Sequence, residues 1–374
     1  MRIGIEIDWA HKFGGMRAVA INLLREIIKI DNRNEYIVYT NTKFPKLAHN
    51  KIKQTVILSP HPLMHVIWDQ FILPHIIFPW KFLQDKIDIV LYSGTISSFY
   101  KVKRSVLMIH DLTIFTVPES YNKIHRTYQR LYYKWAVYNA DHIITVSESS
   151  RRDILRLFRL PEDRVTAIAL GVGEECRVIN DESLLARVRN HYRLPGHFIL
   201  NVGTIQPRKN LVRLVESFAQ LRNELPHKLV IVGRQAWRAE ELFFAISKHK
   251  LEDHVIFLGM VPNEDLPVIY NLADIFVYPS LYEGFGLPVL EAMSCGTPTI
   301  TSNNSSLAEV AGDAALLVDP KDVESITEAL RELALHPSHL NELRCKGLSR
   351  AKIFSWERTA RETLNVFENF RTSN

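Results

Sequence analysis

The stretch that decides the fold is Glu283-Gly-Phe-Gly-Leu-Pro-Val-Leu-Glu291, which follows the apolar run Asp274-Ile-Phe-Val-Tyr-Pro-Ser280. The apolar run is typical of a buried strand. Leu287–Ser294 is typical of a helix with Pro288 in its first turn, where a missing N–H costs nothing. A strand that leads through glycines into a helix presents unpaired N–H groups, which suit an anionic ligand. Two glutamates beside a glycine-rich turn are equally typical of a surface loop. The rest of the chain must therefore show whether this stretch binds a ligand.

Both halves of the 374-residue chain alternate between strand-like and helical patterns, which is the arrangement of open, mostly parallel sheets. We therefore predict an α/β protein with two Rossmann-like, doubly wound domains. The small residues of Gly171-Val-Gly173 end one strand pattern before a polar stretch and place the boundary. Residues 1–172 and 173–354 are the predicted domains, and residues 355–374 form a last amphipathic helix with Ser355 as its N-cap.

The predicted elements follow from the periodicity of apolar residues. Predicted strands span residues 2–8, 36–40, 88–92, 105–110, 142–146 and 165–170 in the first half, and 198–202, 229–232, 255–258, 275–278, 297–301 and 315–318 in the second. Predicted helices span residues 17–30, 125–139, 148–158, 211–225, 240–250, 265–272, 305–311 and 323–334.

Composition excludes several classes of protein. Hydrophobic residues make up 47% of the chain and charged residues 23%, as in an ordinary globular protein. The three cysteines have no paired spacing, which argues against a disulfide framework or a zinc ribbon and fits a reducing cytoplasm. The N-terminus begins as a strand, so we expect no signal peptide. Walker, G-x-S-x-G and G-x-G-x-x-G sequences are lacking, which argues against a P-loop enzyme, a serine hydrolase and a conventional dinucleotide oxidoreductase.

Positive charge is concentrated in the first half, because residues 1–173 carry a net charge of +9 and residues 174–374 carry −4. This excess is equally typical of a solvated basic face and of a surface for phosphate or anionic lipid. Residues 60–83 are aromatic and apolar, yet Asp69, Lys81 and four prolines argue against a bilayer span. A core helix with a loop is the better interpretation of this segment than a surface for lipid or an acceptor. We expect a cytoplasmic protein without a nucleic-acid partner, and leave peripheral contact with the inner face of the cell membrane open.

Two further candidates in the first half lie at the carboxyl ends of predicted strands or before a helix, where open parallel sheets bind ligands. Gly14-Gly15 precedes a helix and is typical of a tight turn or of close approach to a phosphate or a sugar. His110-Asp111 ends a strand, and fits a cleft or a satisfied buried histidine equally well.

The second half of the chain contains two further candidate ligand sites. Gly203-Thr-Ile-Gln-Pro-Arg208-Lys209-Asn210 ends a strand and starts a helix, where the fork of Arg208 and the charge of Lys209 can hold a diphosphate without metal. Two solvated bases at a helix start are the alternative, although positive charge there is mildly unfavourable. Gly259-Met-Val261 ends another strand, and its amides fit a flat base edge or a simple turn. The scattered histidines predict no metal site.

Together these motifs resemble those of retaining glycosyltransferases with the GT-B fold, in the large family 4 (group 1) of nucleotide-sugar-dependent enzymes. The resemblance covers nearly the full length, and the block from Glu283 to Glu291 is its most specific part. It implies two facing Rossmann-like domains, of which the N-terminal one binds mainly the acceptor and the C-terminal one the nucleotide sugar. It also implies a last helix that crosses back to the first domain, and neither a cofactor nor a metal.

The resemblance further assigns roles to particular residues. Arg208 and Lys209 hold the diphosphate, Glu283 the donor sugar and Glu291 the ribose hydroxyls, so the two glutamates mark where the donor lies and are not a proton relay. His110 contacts the sugar near the reacting carbon and completes the catalytic set. The wider nucleotide-sugar site comprises Gly14, Gly15, Gly203, Arg208, Lys209, Val261, Glu283, Gly284, Phe285, Gly286, Leu287 and Glu291.

Three strings, His110-Asp-Leu112, Gln206-Pro-Arg-Lys-Asn210 and Trp68-Asp-Gln70 with Leu73-Pro74, look most like bacterial surface-polysaccharide mannosyltransferases. The resemblance therefore implies retaining transfer of α-mannose from GDP-mannose to a hydroxyl of a glycan or a lipid-linked glycan. A transferase that uses UDP-glucose, UDP-N-acetylglucosamine or UDP-galactose is an alternative. A nucleotide-sugar 2-epimerase of the same architecture and a non-catalytic, nucleotide-sugar-binding partner subunit are two others.

Overall fold

The computed structural model describes residues 1–7, 15–40, 51–57, 72, 75–94, 97–98 and 103–372. The chain forms two compact units, and each unit contains its own parallel sheet. The first unit comprises Met1–Leu112, Lys123–Gly171 and Ser355–Asn374, and the second comprises Thr113–Asn122 and Val172–Phe354. The predicted α/β class with two doubly wound sheets is confirmed.

The sheet of the first unit consists of β1 (Arg2–Glu6), β2 (Glu35–Thr40), β3 (Ile52–Val56), β4 (Ile89–Tyr92), β5 (Arg104–Ile109), β6 (His142–Thr145) and β7 (Val165–Ala167). All neighbours are parallel, in the order β3-β2-β1-β4-β5-β6-β7. The helices of this unit are Gly15–Ile30, Phe78–Gln84, Lys123–Asn139, Glu148–Phe158 and Trp356–Thr372. The central strands are buried on both faces, which explains why they are continuous apolar runs.

The C-terminal helix, Trp356–Thr372, packs against the helix Gly15–Ile30 within the first unit. Ser355 is its N-cap, because its Oγ accepts a hydrogen bond from the backbone N–H three residues later at 3.2 Å. The chain enters this helix beside Gly171, where a Cβ would lie 2.1 Å from the backbone nitrogen of Trp356, so that a side chain does not fit. The predicted cap and the return of the last helix to the first unit are confirmed.

The sheet of the second unit consists of β8 (Phe198–Val202), β9 (Lys228–Val232), β10 (Val255–Gly259), β11 (Ile275–Tyr278), β12 (Thr299–Ser302) and β13 (Leu316–Val318). All neighbours are parallel, in the order β10-β9-β8-β11-β12-β13. Its helices are Thr113–Thr116, Glu182–His191, Leu211–Leu221, Glu240–Lys248, Leu266–Leu272, Leu287–Ser294, Ser305–Ala311, Val323–Leu335 and Pro337–Ala351. The strand order reverses between β8 and β11, which makes their C-terminal ends the topological switch point of this sheet.

A hydrophobic core under the second sheet fixes the strand ends from which the candidate site is built. Leu214 and Phe218 of the helix Leu211–Leu221 and Leu330 of the helix Val323–Leu335 are fully buried in it. Each large apolar side chain contributes about 1.5–3 kcal/mol on burial. The loops after β8 and β11 therefore project from a rigid base.

The predicted elements are all present, most of them within two residues of their predicted bounds, and two of them end three or four residues early. The strand predicted for residues 165–170 ends at Ala167, because its partner β6 ends opposite this residue at Thr145. The helix predicted for residues 211–225 ends at Leu221, and Leu225 returns to the core from a turn. The apolar side chain of Leu225 fits the helical period of the sequence, although the helix itself ends four residues earlier.

Besides the short helix Thr113–Thr116 and the 3-10 turns, three elements escaped prediction because they lack a buried face of the expected period. The edge strand β3 has no fully buried residue. The helices Glu182–His191 and Pro337–Ala351 bury one and three residues, respectively. Of residues 60–83, Phe78 and the residues after it belong to the predicted core helix, and residues 58–71, 73 and 74 lie outside the described part of the chain. Among the described residues, no helix combines the length and the hydrophobicity needed to cross a bilayer.

Candidate active site

The candidate site lies at the C-terminal edge of the second sheet, where the neighbouring strands β8 and β11 end. The loop after β8 forms the short 3-10 turn Pro207–Lys209, which presents Arg208 and Lys209. The loop after β11 presents Glu283, five residues beyond the end of the strand. Because the strands are parallel neighbours at the switch point, the two loops meet.

Glu283 bridges the two basic side chains. Its Oε2 lies 2.5 Å from Nη1 of Arg208, and its Oε1 accepts a hydrogen bond from Nζ of Lys209 at 2.6 Å. Glu283 is 8% exposed and Lys209 is 6% exposed. The hydroxyl of Tyr278, at the end of β11, accepts a hydrogen bond from Nζ of Lys209 and donates one to Oε1 of Glu283 at 3.1 Å. The result is a buried network with two positive charges and one negative charge.

Charge decides the protonation state of Glu283. Burial alone would raise the pKa of this carboxyl group, but the charges and hydrogen bonds of Arg208 and Lys209 lower the pKa of Glu283 to about 2. Burial, followed by the charge of Glu283, raises the pKa of Tyr278 well above its ordinary value. At neutral pH Glu283 is therefore a carboxylate and Tyr278 a neutral phenol, and within the described network this carboxylate faces two basic side chains.

Backbone contacts hold these side chains in place. The carbonyl group of Arg208 accepts a hydrogen bond from the backbone N–H of Leu281 at 2.8 Å and joins the two loops. The buried side-chain amide of Asn210 donates to the carbonyl groups of Pro279 at 3.0 Å and Pro320 at 2.5 Å. The basic pair is thus preorganised by the fold, which is the condition under which fixed charges are most effective in catalysis.

The glycine-rich turn after Glu283 sets the start of the helix Leu287–Ser294. Gly286 has φ 106° and ψ 47°, a conformation that residues with a side chain rarely adopt, and a Cβ there would lie 2.6 Å from Cδ2 of Leu307. Ser306 Oγ lies 2.9 Å from each of two carbonyl groups of the turn. The turn is therefore fixed by a steric and a hydrogen-bonding constraint, and the helix begins with Pro288 in its first turn as predicted.

Glu291, in the same helix, has a different environment. Its Oε2 accepts a hydrogen bond from the hydroxyl of Tyr270 at 3.0 Å. Burial raises the pKa of Glu291, the hydrogen bond from Tyr270 lowers it, and the negative charge of Glu175 raises it again, so that the net shift is upward. The two glutamates of the motif thus differ in the direction of their pKa shifts.

The candidates of the first half belong to the first unit. His110 directly follows β5, and its Nε2 lies 2.7 Å from the carbonyl oxygen of Ser93, which follows β4. Because a carbonyl group only accepts, Nε2 carries the proton. Gly15 is the first residue of its helix, and Gly14 lies outside the described residues.

The remaining candidates follow strands of the second sheet. Gly203 comes directly after β8, and its N–H donates to the carbonyl group of Val232 at 2.8 Å. Val261 lies two residues beyond β10. Within the second unit, the structure brings Arg208, Lys209 and Glu283 into one network.

Two tyrosines of these networks were missed in the sequence. Tyr278 was counted only as part of a buried strand, and Tyr270 as part of a helix. The available signal for Tyr278 was a hydroxyl at the carboxyl end of a strand just before the motif. For Tyr270 no local signal exists, because it lies 21 residues from its partner Glu291.

Comparison with known proteins identifies the family. Residues 13–175 match the family described as Glycosyltransferase Family 4, and residues 187–349 match Glycosyl transferases group 1. O-antigen chain mannosyltransferase B of Escherichia coli is 35% identical over 288 residues, which are 76% of each chain. The chain belongs to glycosyltransferase family 4. It is therefore a retaining hexosyltransferase that uses a nucleotide-sugar donor and a glycan acceptor.

Two further comparisons concern a second relative and a solved structure. Serotype-specific mannosyltransferase WbdA of Escherichia coli is 32% identical over 302 residues, which are 79% of this chain and 37% of that longer protein. Sucrose-phosphate synthase from Thermosynechococcus elongatus superimposes with a TM-score of 0.77 at 20% identity and covers 100% of both chains. The structural likeness establishes the GT-B fold for this glycosyltransferase.

Proposed function

We propose that this glycosyltransferase transfers α-mannose from GDP-mannose to a hydroxyl of a glycan or a lipid-linked glycan in the synthesis of a cell-surface polysaccharide. The two Escherichia coli relatives described above are both named as mannosyltransferases, and one of them is named for the O-antigen chain. The chemistry rests on a single observation, the pair of half-buried Arg208 and buried Lys209 that Glu283 bridges at the switch point. We assign donor binding to residues 173–354 and acceptor binding to residues 1–172.

In this proposal Arg208 and Lys209 bind the diphosphate of the donor. A guanidinium group carries five N–H donors and an ammonium group three, so each cation can bind Glu283 and a phosphate oxygen together. Negative charge grows on the leaving phosphate as its bond to the sugar breaks. Fixed donors aimed at such charge lower the barrier by about 3–4 kcal/mol each, so the scheme needs no metal ion.

The acceptor hydroxyl attacks the anomeric carbon from the face that the phosphate leaves, and the departing phosphate takes its proton. The bond to the acceptor oxygen forms as the bond to the phosphate oxygen breaks, and the α configuration is retained. His110 and Glu283 position the sugar, and Glu283 also orients the two cations. Glu291 accepts hydrogen bonds from the ribose hydroxyls.

The remaining residues of the nucleotide-sugar site are assigned to the phosphates and the base of the donor and to the turn that positions the two glutamates. Gly14 and Gly15 lie against the phosphates, as does Gly203. Val261 offers its backbone to the base. The turn from Gly284 to Leu287, which includes Phe285 and Gly286, follows Glu283 and starts the helix that carries Glu291, so it fixes the distance between the two glutamates.

Calorimetric titration of the full chain with GDP-mannose, GDP, UDP-glucose and UDP tests this function. We expect GDP-mannose to bind more tightly than UDP-glucose, and Arg208→Ala to weaken the binding of both GDP ligands. Arg331→Ala is the matched control, because Arg331 forms an ion pair with Glu224 on the surface at 3.1 Å. A preference for UDP-glucose would overturn the assignment of the donor. Conversion of GDP-mannose to another nucleotide sugar without an acceptor would instead indicate an epimerase.

We also propose that the protein is cytoplasmic and contacts the inner face of the cell membrane through its first unit. The exposed apolar side chains of Ile76, Trp80 and Leu83 lie on and beside one short helix, where Nζ of Lys81 lies 5.0 Å from the centre of the Trp80 ring. Apolar and basic groups together suit an anionic lipid surface. Sedimentation with anionic liposomes should carry the protein down at low salt but not at high salt, and Trp80→Ala should weaken this binding. Binding that is insensitive to both changes would contradict the proposal.

A further inference from the structure

A second cluster of chemistry-bearing residues lies at the opposite edge of the second sheet. His197 directly precedes β8, His227 directly precedes β9, and Asp274 directly precedes β11. These three strands are parallel neighbours, and their N-terminal ends share one edge. Residues that lie far apart in the sequence are therefore gathered by the strand register.

The spacing of the three side chains is that of ligands around a metal ion. Nδ1 of His197 lies 3.4 Å from Oδ2 of Asp274, and Nε2 of His227 lies 3.6 Å from the same oxygen. One atom from each residue lies within 4.8 Å of the other two. Ligands at about 2.0–2.2 Å from a tetrahedral zinc ion are separated by about 3.3–3.6 Å. Among the hydrogen bonds of the described residues, none joins these three side chains to one another.

The surroundings orient the cluster. Oδ2 of Asp274 accepts a hydrogen bond from the backbone N–H of Phe198 at 2.8 Å, which fixes the carboxylate in the way that outer contacts fix metal ligands. His227 is 8% exposed, and within the described structure its buried Nδ1 has no hydrogen-bond partner. Its other nitrogen, Nε2, is the one that faces Asp274.

We propose that His197, His227 and Asp274 bind a divalent transition-metal ion of the zinc class, which joins the starts of β8, β9 and β11. Imidazole ligands favour zinc, cobalt or nickel over magnesium or calcium. The ion stabilises the second unit and takes no part in the transfer reaction, because a five-residue strand of about 17 Å separates the two edges of the sheet. The inference is independent of the identity of the donor.

Zinc binding to the full chain, freed of metal with a chelator and dialysed, tests the proposal. Zinc at about 100 times its dissociation constant should raise the Tm by about 5–10 °C, and magnesium should leave the Tm unchanged. Cobalt should produce the visible absorption of a tetrahedral site. His197→Ala should weaken zinc binding by about 100-fold, at or above the 10–100-fold loss typical of an outer-contact mutation.

The matched control is His191→Ala, which also removes an exposed histidine of the second unit and should keep the full zinc response. The side chain of His197 is 62% exposed, so its variant should fold even where His227→Ala does not. A wild-type protein without a zinc response, or an equal response of His197→Ala and the wild type, would overturn the proposal. Chelation should lower the Tm and leave kcat unchanged, and a loss of kcat would contradict the separation of the two sites.

Discussion

Glu283 and Glu291 belong to one motif and lie at the two ends of one turn and helix start, yet the structure gives them opposite electrostatic environments. Glu283 faces Arg208 and Lys209, which keep it ionised far below neutral pH. Glu291 faces the hydroxyl of Tyr270 in a buried setting, and its pKa is raised. The comparison teaches that the spacing of two acids says little about their chemistry, which depends on the strands and helices that supply their partners.

The largest difference is expected in stability. Glu283→Gln removes the negative charge that two buried cations share, and breaking a buried ion pair in this way costs about 3–5 kcal/mol of unfolding free energy. Glu291→Gln keeps an oxygen that can accept the hydrogen bond from Tyr270, and it removes a charge that the surroundings do not stabilise, since the pKa of Glu291 is raised; it should cost less than about 1 kcal/mol. Urea unfolding of both variants measures the difference. Equal losses would show that the two environments are not distinct.

The next largest effect concerns catalysis by the bridged cations. Arg208→Ala and Lys209→Ala should each reduce kcat by about 10²–10³-fold, the usual loss when one preorganised donor is removed from a developing negative charge. Arg331→Ala should retain the wild-type rate, since that side chain forms only surface ion pairs. Steady-state kinetics with saturating donor gives the comparison. If either active-site variant keeps the wild-type kcat, the substituted cation does not stabilise the departing diphosphate.

The two glutamates should also respond to pH with opposite signs. The pKa of Glu283 is about 2 in the folded protein and ordinarily 4.5, so its contribution to stability is fully present above pH 4.5 and is lost as the pH falls from about 4.5 to 2. A shift of this size corresponds to about 3 kcal/mol. Glu291 has a raised pKa in the folded state, so acid favours its folded form.

Unfolding curves from pH 7 to pH 2.5 check this sign, because the contribution of Glu283 changes below pH 4.5 and that of Glu291 above it. Relative to the wild type, Glu283→Gln should flatten the acid-induced loss of stability, and Glu291→Gln should steepen it. If Glu283→Gln loses as much stability in acid as the wild type, groups other than Glu283 cause the acid sensitivity of the protein.

The motif itself could be recognised from the sequence, but the partners of its two acids could not. The strand before Glu283 and the helix after it were predicted with the observed bounds, because an apolar run buried on both faces and a proline in a first helical turn are local signals. The bridge between Glu283 and Lys209 joins residues 74 positions apart and exists because β8 and β11 are neighbours. Sequence periodicity predicts strands and leaves their order open.

The same reason explains what was missed. The histidines were judged to be scattered, and His197 and His227 are indeed 30 positions apart, with Asp274 another 47 beyond. Only the parallel register of three strand starts brings them together. The edge strand β3 escaped detection for a related reason, because a strand without a buried face has no apolar pattern.

Nucleotide affinity tests the role that distinguishes Glu291. If its carboxylate accepts hydrogen bonds from the ribose, Glu291→Ala should weaken GDP binding by about 10–100-fold, the range for a hydrogen bond to a charged group of about 1.5–3 kcal/mol. Turnover at saturating donor should change far less than in Arg208→Ala. Calorimetry with GDP measures the affinity, and an unchanged dissociation constant would contradict the ribose assignment.

The smallest effect concerns the turn that separates the two acids. Gly286→Ala places a Cβ 2.6 Å from Cδ2 of Leu307 at a φ of 106°, and backbone strain of this kind costs about 1–3 kcal/mol. Gly196→Ala is the matched control, because a Cβ there meets nothing within 4 Å, and it should leave stability unchanged or raise it slightly. The loss in Gly286→Ala should be accompanied by weaker GDP binding, since the turn sets the position of Glu291 relative to Glu283. If Gly286→Ala is less stable but binds GDP as tightly as the wild type, the start of the helix can shift without moving Glu291 away from the nucleotide. The different surroundings of Glu283 and Glu291 would then depend on the strands and not on this turn.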